Sequence, residues 1–176
     1  MEVLKAYRMY GDVSLPVKST PGSACFDVFA YFGVKEVHVK VWNDQNVAIQ
    51  YMAHQDLPTD KVHLTLRPGD RALIPTGLIL DIPEGYSVRT HPRSGLAIKQ
   101  GIALANCEGV IDWDYVEQLY VPVINFTNTA VVINHGDRIA QLEMVRVLDQ
   151  ELAVALNAPA KKTSRNGGFG STGVSL

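Results

Sequence analysis

Apolar and polar positions alternate along most of this chain, in short runs broken by glycine, proline, asparagine and aspartate. "VHVKVW" (37–42) alternates strictly, and "VAIQYMAH" (47–54) resumes the alternation after "NDQN". Side chains two apart share one face of a strand, so this pair predicts a hairpin closed by a polar turn. "VHLTLRPGD" (62–70) predicts a strand ending in a Pro-Gly turn, and "RALIPTGLILDIPEGYSVRTHPRSG" continues with short runs. "QLYVPVINFTN" (118–128), "AVVINHGDR" (130–138) and "IAQLEMVRVL" (139–148) keep the same rhythm. Short strands at close spacing predict an all-β sandwich or barrel of antiparallel strands. Helical spacing occurs only in "DQELAVALNA" (149–158), through Leu148, Leu152 and Leu156.

No repeat or linker interrupts residues 1–158, which predicts a single β domain. From 159 to 176 the residues turn small, polar and glycine-rich, the composition of a mobile tail. Phe169 stands inside that tail, in "GGFGSTG" (167–173). A lone ring there has nothing to bury unless a ligand arrives.

Charge narrows the function classes. With 16 Lys and Arg against 18 Asp and Glu, the net charge of −2 gives no footprint for a nucleic-acid polymer. The opening residues lack an apolar leader, and no apolar run reaches membrane-spanning length, so a cytoplasmic chain with no membrane partner is expected. Cys25 and Cys107 stand apart and are expected as reduced thiols. The five histidines lack zinc-motif spacing, and neither a Ser-His-Asp order nor a nucleophile elbow occurs. Any hydrolysis here should therefore use an activated water.

Four stretches can carry chemistry. In "HPRSGLA" (91–97) Arg93 offers a fork of donors, Ser94 a hydroxyl and Gly95 an unhindered backbone, all suited to phosphate; an ordinary surface turn has the same composition. In "GVIDWDY" (109–115) Asp112 lies among Val110, Ile111 and Trp113, where partial desolvation would make it basic enough to take a proton from water. Tyr115 could lie beneath a sugar. A satisfied turn carboxylate remains the other reading of Asp112. In "GDRIAQL" (136–142) Arg138 could pair with a carboxylate while Gln141 faces a ligand. "GGFGSTG" lacks the lysine and following helix of a phosphate-binding P-loop.

Together, "PGSACFDVFA" (21–30), "HPRSGLA", "GVIDWDY", "GDRIAQL" and "GGFGSTG" resemble, in order, the five motifs of trimeric dUTP diphosphatases. The resemblance covers the chain apart from about residues 32–61. It implies a distorted jelly-roll of antiparallel strands, a homotrimer with active sites shared between subunits, and hydrolysis of dUTP to dUMP and diphosphate assisted by Mg²⁺. By matched position Asp112 would be the general base. Arg93, Ser94 and Gly95 would hold phosphates, with Gln141 near the α-phosphate and Asp27 bonded to waters on Mg²⁺. Asn106 and the hairpin backbone from Val110 and Ile111 to Tyr120 would read uracil, and Tyr115 would pack on the deoxyribose. In the tail, Phe169 would stack on uracil, Arg165 would reach the γ-phosphate, and Gly170, Ser171 and Thr172 would line the phosphates as the lid closes.

Three departures from the family pattern stand out. Glu117 occupies a position where glycine is usual, Cys25 replaces another glycine, and Arg165 stands four residues before Phe169 rather than five. If the replaced glycine at 117 adopts positive φ, glutamate there would be strained. The extra stretch at 32–61 is expected as a protruding hairpin, either structural or a surface for a partner protein through Trp42, Tyr51 and Met52. Two alternatives share the implied fold: a dCTP deaminase-like enzyme, and a nucleotide-gated regulatory protein.

Overall fold

The computed structural model describes residues 2–33, 37–56 and 61–164. Among these, thirteen strands and one helix follow in order. First come β1 (Lys5–Arg8), β2 (Phe26–Phe29), β3 (His38–Trp42), β4 (Ala48–Met52), β5 (His54–Asp56) and β6 (Lys61–Leu66). They are followed by β7 (Arg71–Asp81), β8 (Tyr86–His91), α1 (Ser94–Gln100) and β9 (Ile102–Leu104). The last are β10 (Gly109–Ile111), β11 (Gln118–Asn125), β12 (Val131–Asn134) and β13 (Arg138–Arg146). The pairings between these strands are antiparallel, and the all-β expectation holds.

Three sheets result. One runs β4-β3-β7-β11-β9 with β1 also on β7; the second runs β10-β8-β13-β2; the third is β12-β6-β5. The alternation read from the sequence becomes burial. On β11, Leu119, Val121, Val123 and Asn125 point inward, while Tyr120 is exposed. On β3, Val39 and Val41 enter the core, and His38 and Lys40 stay outside. Each such apolar side chain contributes roughly 1.5–3 kcal/mol through burial.

The long strand β7 is buried through its middle, from Ile74 to Leu78. β11 pairs along one edge, while β3 pairs Arg71–Leu73 and β1 pairs Leu78–Asp81. Between those two partners the chain carries Pro75, whose missing N–H costs no ladder bond at this gap. Tyr31 N and Met9 N donate instead to Pro75 O and Gly77 O, at 2.8 and 2.9 Å.

Three expectations change. The hairpin forms, but it does not protrude: β3 pairs with β7 and seats the hairpin in the main sheet, with Trp42 and Tyr51 half-buried. "HPRSGLA" is not a simple turn, because Ser94 begins a helix that ends at Gly101 in the left-handed region. Residues 149–158 form no helix, and Leu152, Val154 and Leu156 are exposed. Four-residue spacing gives one apolar stripe there, but the chain offers no surface to receive it, and short isolated helices are marginal.

Candidate active site

Strands β2 and β13 run side by side, with Gln141 opposite Asp27, and β8 lies on the far side of β13 with His91 opposite Gln141. That register collects the first, second and fourth motifs around one cavity of about 270 Å³. Its lining includes Ser19, Ser23, Cys25, Asp27, Arg93, Ser94, Gly95 and Gln141. Asp27 is the buried centre. Arg93 Nε donates to Asp27 Oδ1 at 3.0 Å, Ser19 Oγ donates to Oδ2 at 2.7 Å, and Arg138 Nη1 lies 3.5 Å from Oδ2. Arg93 also reaches Arg138 O at 3.2 Å. Two guanidiniums are thus fixed by one carboxylate at the wall of a pocket bearing hydroxyls.

Gln141 Nε2 donates to Pro92 O at 3.0 Å, which turns its amide oxygen toward other partners. A Cβ on Gly95 would meet nothing within 4 Å, so glycine there leaves the backbone open to the cavity. Burial pushes the Cys25 thiol above its ordinary pKa, with the nearby Glu143 carboxylate adding to the effect. Cys25 is therefore a protonated, half-buried wall of this cavity at neutral pH.

The third motif builds a second cavity, of about 290 Å³, and is no paired hairpin: β10 belongs to the β8 sheet and β11 to the β7 sheet. Asn106, Gly109, Val110, Ile111, Asp112, Tyr115 and Tyr120 line it, with Thr90, Leu73, Leu119 and Pro122 behind. The motif seats here because β10 pairs with β8 and places Gly109 opposite Thr90. A Cβ on Gly109 would stand 3.1 Å from Thr90 Cβ, a tight contact that favours glycine at this close approach. Tyr115 Oη donates to Gln118 O at 3.0 Å, which ties the ring across the turn. Burial, more than the Glu117 charge, raises the Tyr115 pKa and keeps its hydroxyl protonated.

Several expectations need adjustment. Asp112 is exposed within this chain rather than desolvated by its apolar neighbours: Val110 and Trp113 are about half exposed themselves. Glu117 is not strained, since Asn46 and Cys107 are the non-glycine residues with positive φ among the described residues. The unusual backbone lies instead at Cys107, φ 62°, next to Asn106. Arg138 does pair with a carboxylate, that of Asp27. Arg165, Phe169, Gly170, Ser171 and Thr172 lie outside the described residues.

Ser19 and Thr90 are missed from sequence, because their role is contact with a motif rather than membership of one, and strand register, which no local pattern prints, is what reveals them. His91 opens the second motif, yet its partners are equally hidden: its Nε2 lies 3.1 Å from Glu143 Oε2 and Nδ1 3.6 Å from Glu108 Oε1.

An antiparallel β protein with one cavity of fixed cations and hydroxyls and another of aromatic rings defines a class: it suits a small ligand with anionic and planar parts. The dUTPase family model matches residues 53–173, and this chain belongs to that family. A deoxyuridine 5'-triphosphate nucleotidohydrolase of Desulfotalea psychrophila is 49% identical over 110 residues, 62% of this chain and 73% of the relative. One from Bifidobacterium longum subsp. infantis is 41% identical over 145 residues, 79% of this chain and 90% of its own.

Solved structures agree on the fold. A mutant Staphylococcus bacteriophage 80alpha dUTPase with dUpNHpp matches with TM-score 0.73 at 20% identity, covering 99% of this chain and 100% of that one. A mutant dUTPase from phage phi11 of S. aureus, whose description names a structural Mg(II) ion, matches with TM-score 0.67 at 19% identity, covering 90% of this chain and 100% of that one.

Proposed function

We infer that this chain hydrolyses dUTP to dUMP and diphosphate, by attack of a water on the α-phosphorus. Membership of the dUTPase family carries the activity, and Asp112 at the rim of the aromatic cavity carries the mechanism. The nucleoside occupies that cavity, with Asn106 and the backbone of Val110 and Ile111 against the base and Tyr115 against the sugar. Asp112 accepts the proton of the attacking water. Arg93, Ser94, Gly95 and Gln141 hold the phosphates, so positioning and charge neutralisation supply most of the acceleration.

The two cavities share no lining residue, which supports sites assembled between subunits of a homotrimer. The aromatic cavity of one subunit meets the cationic cavity of the next, and burial at that junction supplies the desolvation that exposed Asp112 lacks in one chain. Residues 159–176 act as the lid, with Phe169 on the base and Arg165, Gly170, Ser171 and Thr172 on the phosphates. Closure excludes water from the reacting centre.

Mg²⁺ fits the phosphate cavity through water. Among the described residues no group of three His, Cys, Asp or Glu could hold a metal ion. Asp27 already accepts two hydrogen bonds and faces a second guanidinium, leaving about one lone-pair position for a water. A hard cation that keeps its waters and binds phosphate oxygens suits such a single carboxylate. When bound, the ion neutralises triphosphate charge, while Asp27 orients its hydration and holds Arg93.

A cytoplasmic location belongs to the same proposal. Both cysteines are free, and no helix among the described residues is long and apolar enough to cross a membrane. The β3–β4 hairpin, with Val47 and Ile49 exposed, is the candidate surface for a protein partner. Incubation of the purified protein with dUTP, dCTP, dTTP and UTP in Mg²⁺ tests the function. Diphosphate from dUTP alone is expected; ammonia from dCTP, or no turnover at all, would contradict it.

A further inference from the structure

Gln118 opens β11 at an irregularity that the catalytic motif does not explain. Its backbone pairs with Ile79, yet Tyr120, two residues on, pairs with Pro75. Leu119 alone therefore faces Thr76, Gly77 and Leu78 of β7. Gly77 takes the strain at φ 68°, where a Cβ would stand 2.6 Å from Val13 Cγ2. Thr76 Oγ1 closes part of the bulge by donating to Leu119 O at 2.7 Å.

The rest of the bulge is closed by the Gln118 side chain, and this fixes its orientation. Gly77 N–H points at one terminal atom of the amide at 3.2 Å. A backbone N–H can only donate, so that atom is the carbonyl oxygen and the other is the NH₂ group. The NH₂ lies 2.7 Å from Tyr120 Oη and can only donate. Tyr120 Oη therefore accepts at this contact, and no described residue accepts its proton. Tyr115 is the reverse case, with its proton committed to Gln118 O. Both rings line the aromatic cavity.

We propose that Gln118 is a positioning residue that sets the polarity of the Tyr120 hydroxyl, reserving its proton for an acceptor oxygen of the bound nucleoside. The proposal rests on the assignment of this cavity to the nucleoside. Glutamate at 118 would reverse the arrangement: its carboxylate still accepts from Gly77 N–H but now also accepts the Tyr120 proton, which is withdrawn from the ligand.

Steady-state kinetics with dUTP on Gln118→Glu, Tyr120→Phe and the double variant provide the test. Each single change should raise KM roughly three- to tenfold, the worth of one neutral hydrogen bond, with kcat within about twofold. The double variant should be no weaker than either single one, because both act through one proton. That comparison also removes any effect of the added charge, which would persist in the Tyr120→Phe background. Wild-type KM in Tyr120→Phe, or additive losses in the double variant, would overturn the proposal. Should Gln118→Glu misfold by circular dichroism, wild-type KM in Tyr120→Phe would still overturn the proposal. Absence of dUTP turnover in the wild-type protein would instead defeat the functional assignment itself.

Discussion

Arg93 Nε donates to Asp27 Oδ1 across 3.0 Å, linking the β8–α1 junction to β2 over 66 residues of sequence. The pair orients the guanidinium that we propose holds phosphate, and Arg138 closes on the same carboxylate from β13. Asp27→Asn keeps the shape but leaves two cations facing a neutral amide. Stability should fall by about 2 kcal/mol, a typical value for a lost charge-assisted bond. KM for dUTP should rise tenfold or more as Arg93 loses its anchor. Chemical denaturation and steady-state kinetics measure the two losses; an unchanged KM would show that Arg93 is held by something else.

The turn that delivers Asn106 to the aromatic cavity carries strain at a single residue. Cys107 sits at φ 62°, a region that costs L-residues roughly 1–2 kcal/mol. Cys107→Gly should raise stability by up to about 1 kcal/mol, since glycine's unfolded-state entropy offsets part of the relief. Glu117→Gly should not stabilise, because Glu117 has ordinary φ. Thermal melts of the two variants give the comparison, and equal gains from both would contradict it.

Tyr31 supplies a pH signature for the fold. Burial, then its 2.8 Å hydrogen bond to Asp12, pushes its pKa from 10.0 up to about 12. The folded chain thus retains a proton that the unfolded chain loses near pH 10. This contribution is complete below pH 10 and disappears as pH rises toward 12, since stability falls wherever the unfolded state binds fewer protons. Compared with Tyr31→Phe, the wild type should lose stability more steeply over that interval. Parallel melting curves from pH 9 to 12 would contradict the assignment.

Strands were legible because one face of each sheet is buried: Val39 and Val41, or Leu119, Val121 and Val123, declare their face by spacing alone. The cavity around Asp27 was partly legible, since Asp27, Arg93 and Gln141 lie in separate motifs that strand register brings together. Arg138 was readable as a carboxylate partner, though which carboxylate depended on β2 pairing with β13. The helix at Ser94 was hidden by its seven-residue length and by the Arg-Ser-Gly composition, which suits a turn equally well. Gln118 was illegible, because its role arises from a bulge in β7, a strand some forty residues earlier. The environment of Asp112 was illegible for a related reason. Apolar neighbours in sequence do not desolvate a carboxylate when they themselves face solvent.

The central claim is that Asp112 takes the proton from the water that attacks dUTP, and Asp112→Asn tests it most directly. The substitution removes the base while keeping size and polarity at an exposed turn, so folding should be unaffected. Diphosphate release from dUTP with Mg²⁺, measured alongside a thermal melt, should fall about a hundredfold or more at unchanged melting temperature. Turnover at the wild-type rate by the folded variant would contradict the mechanism.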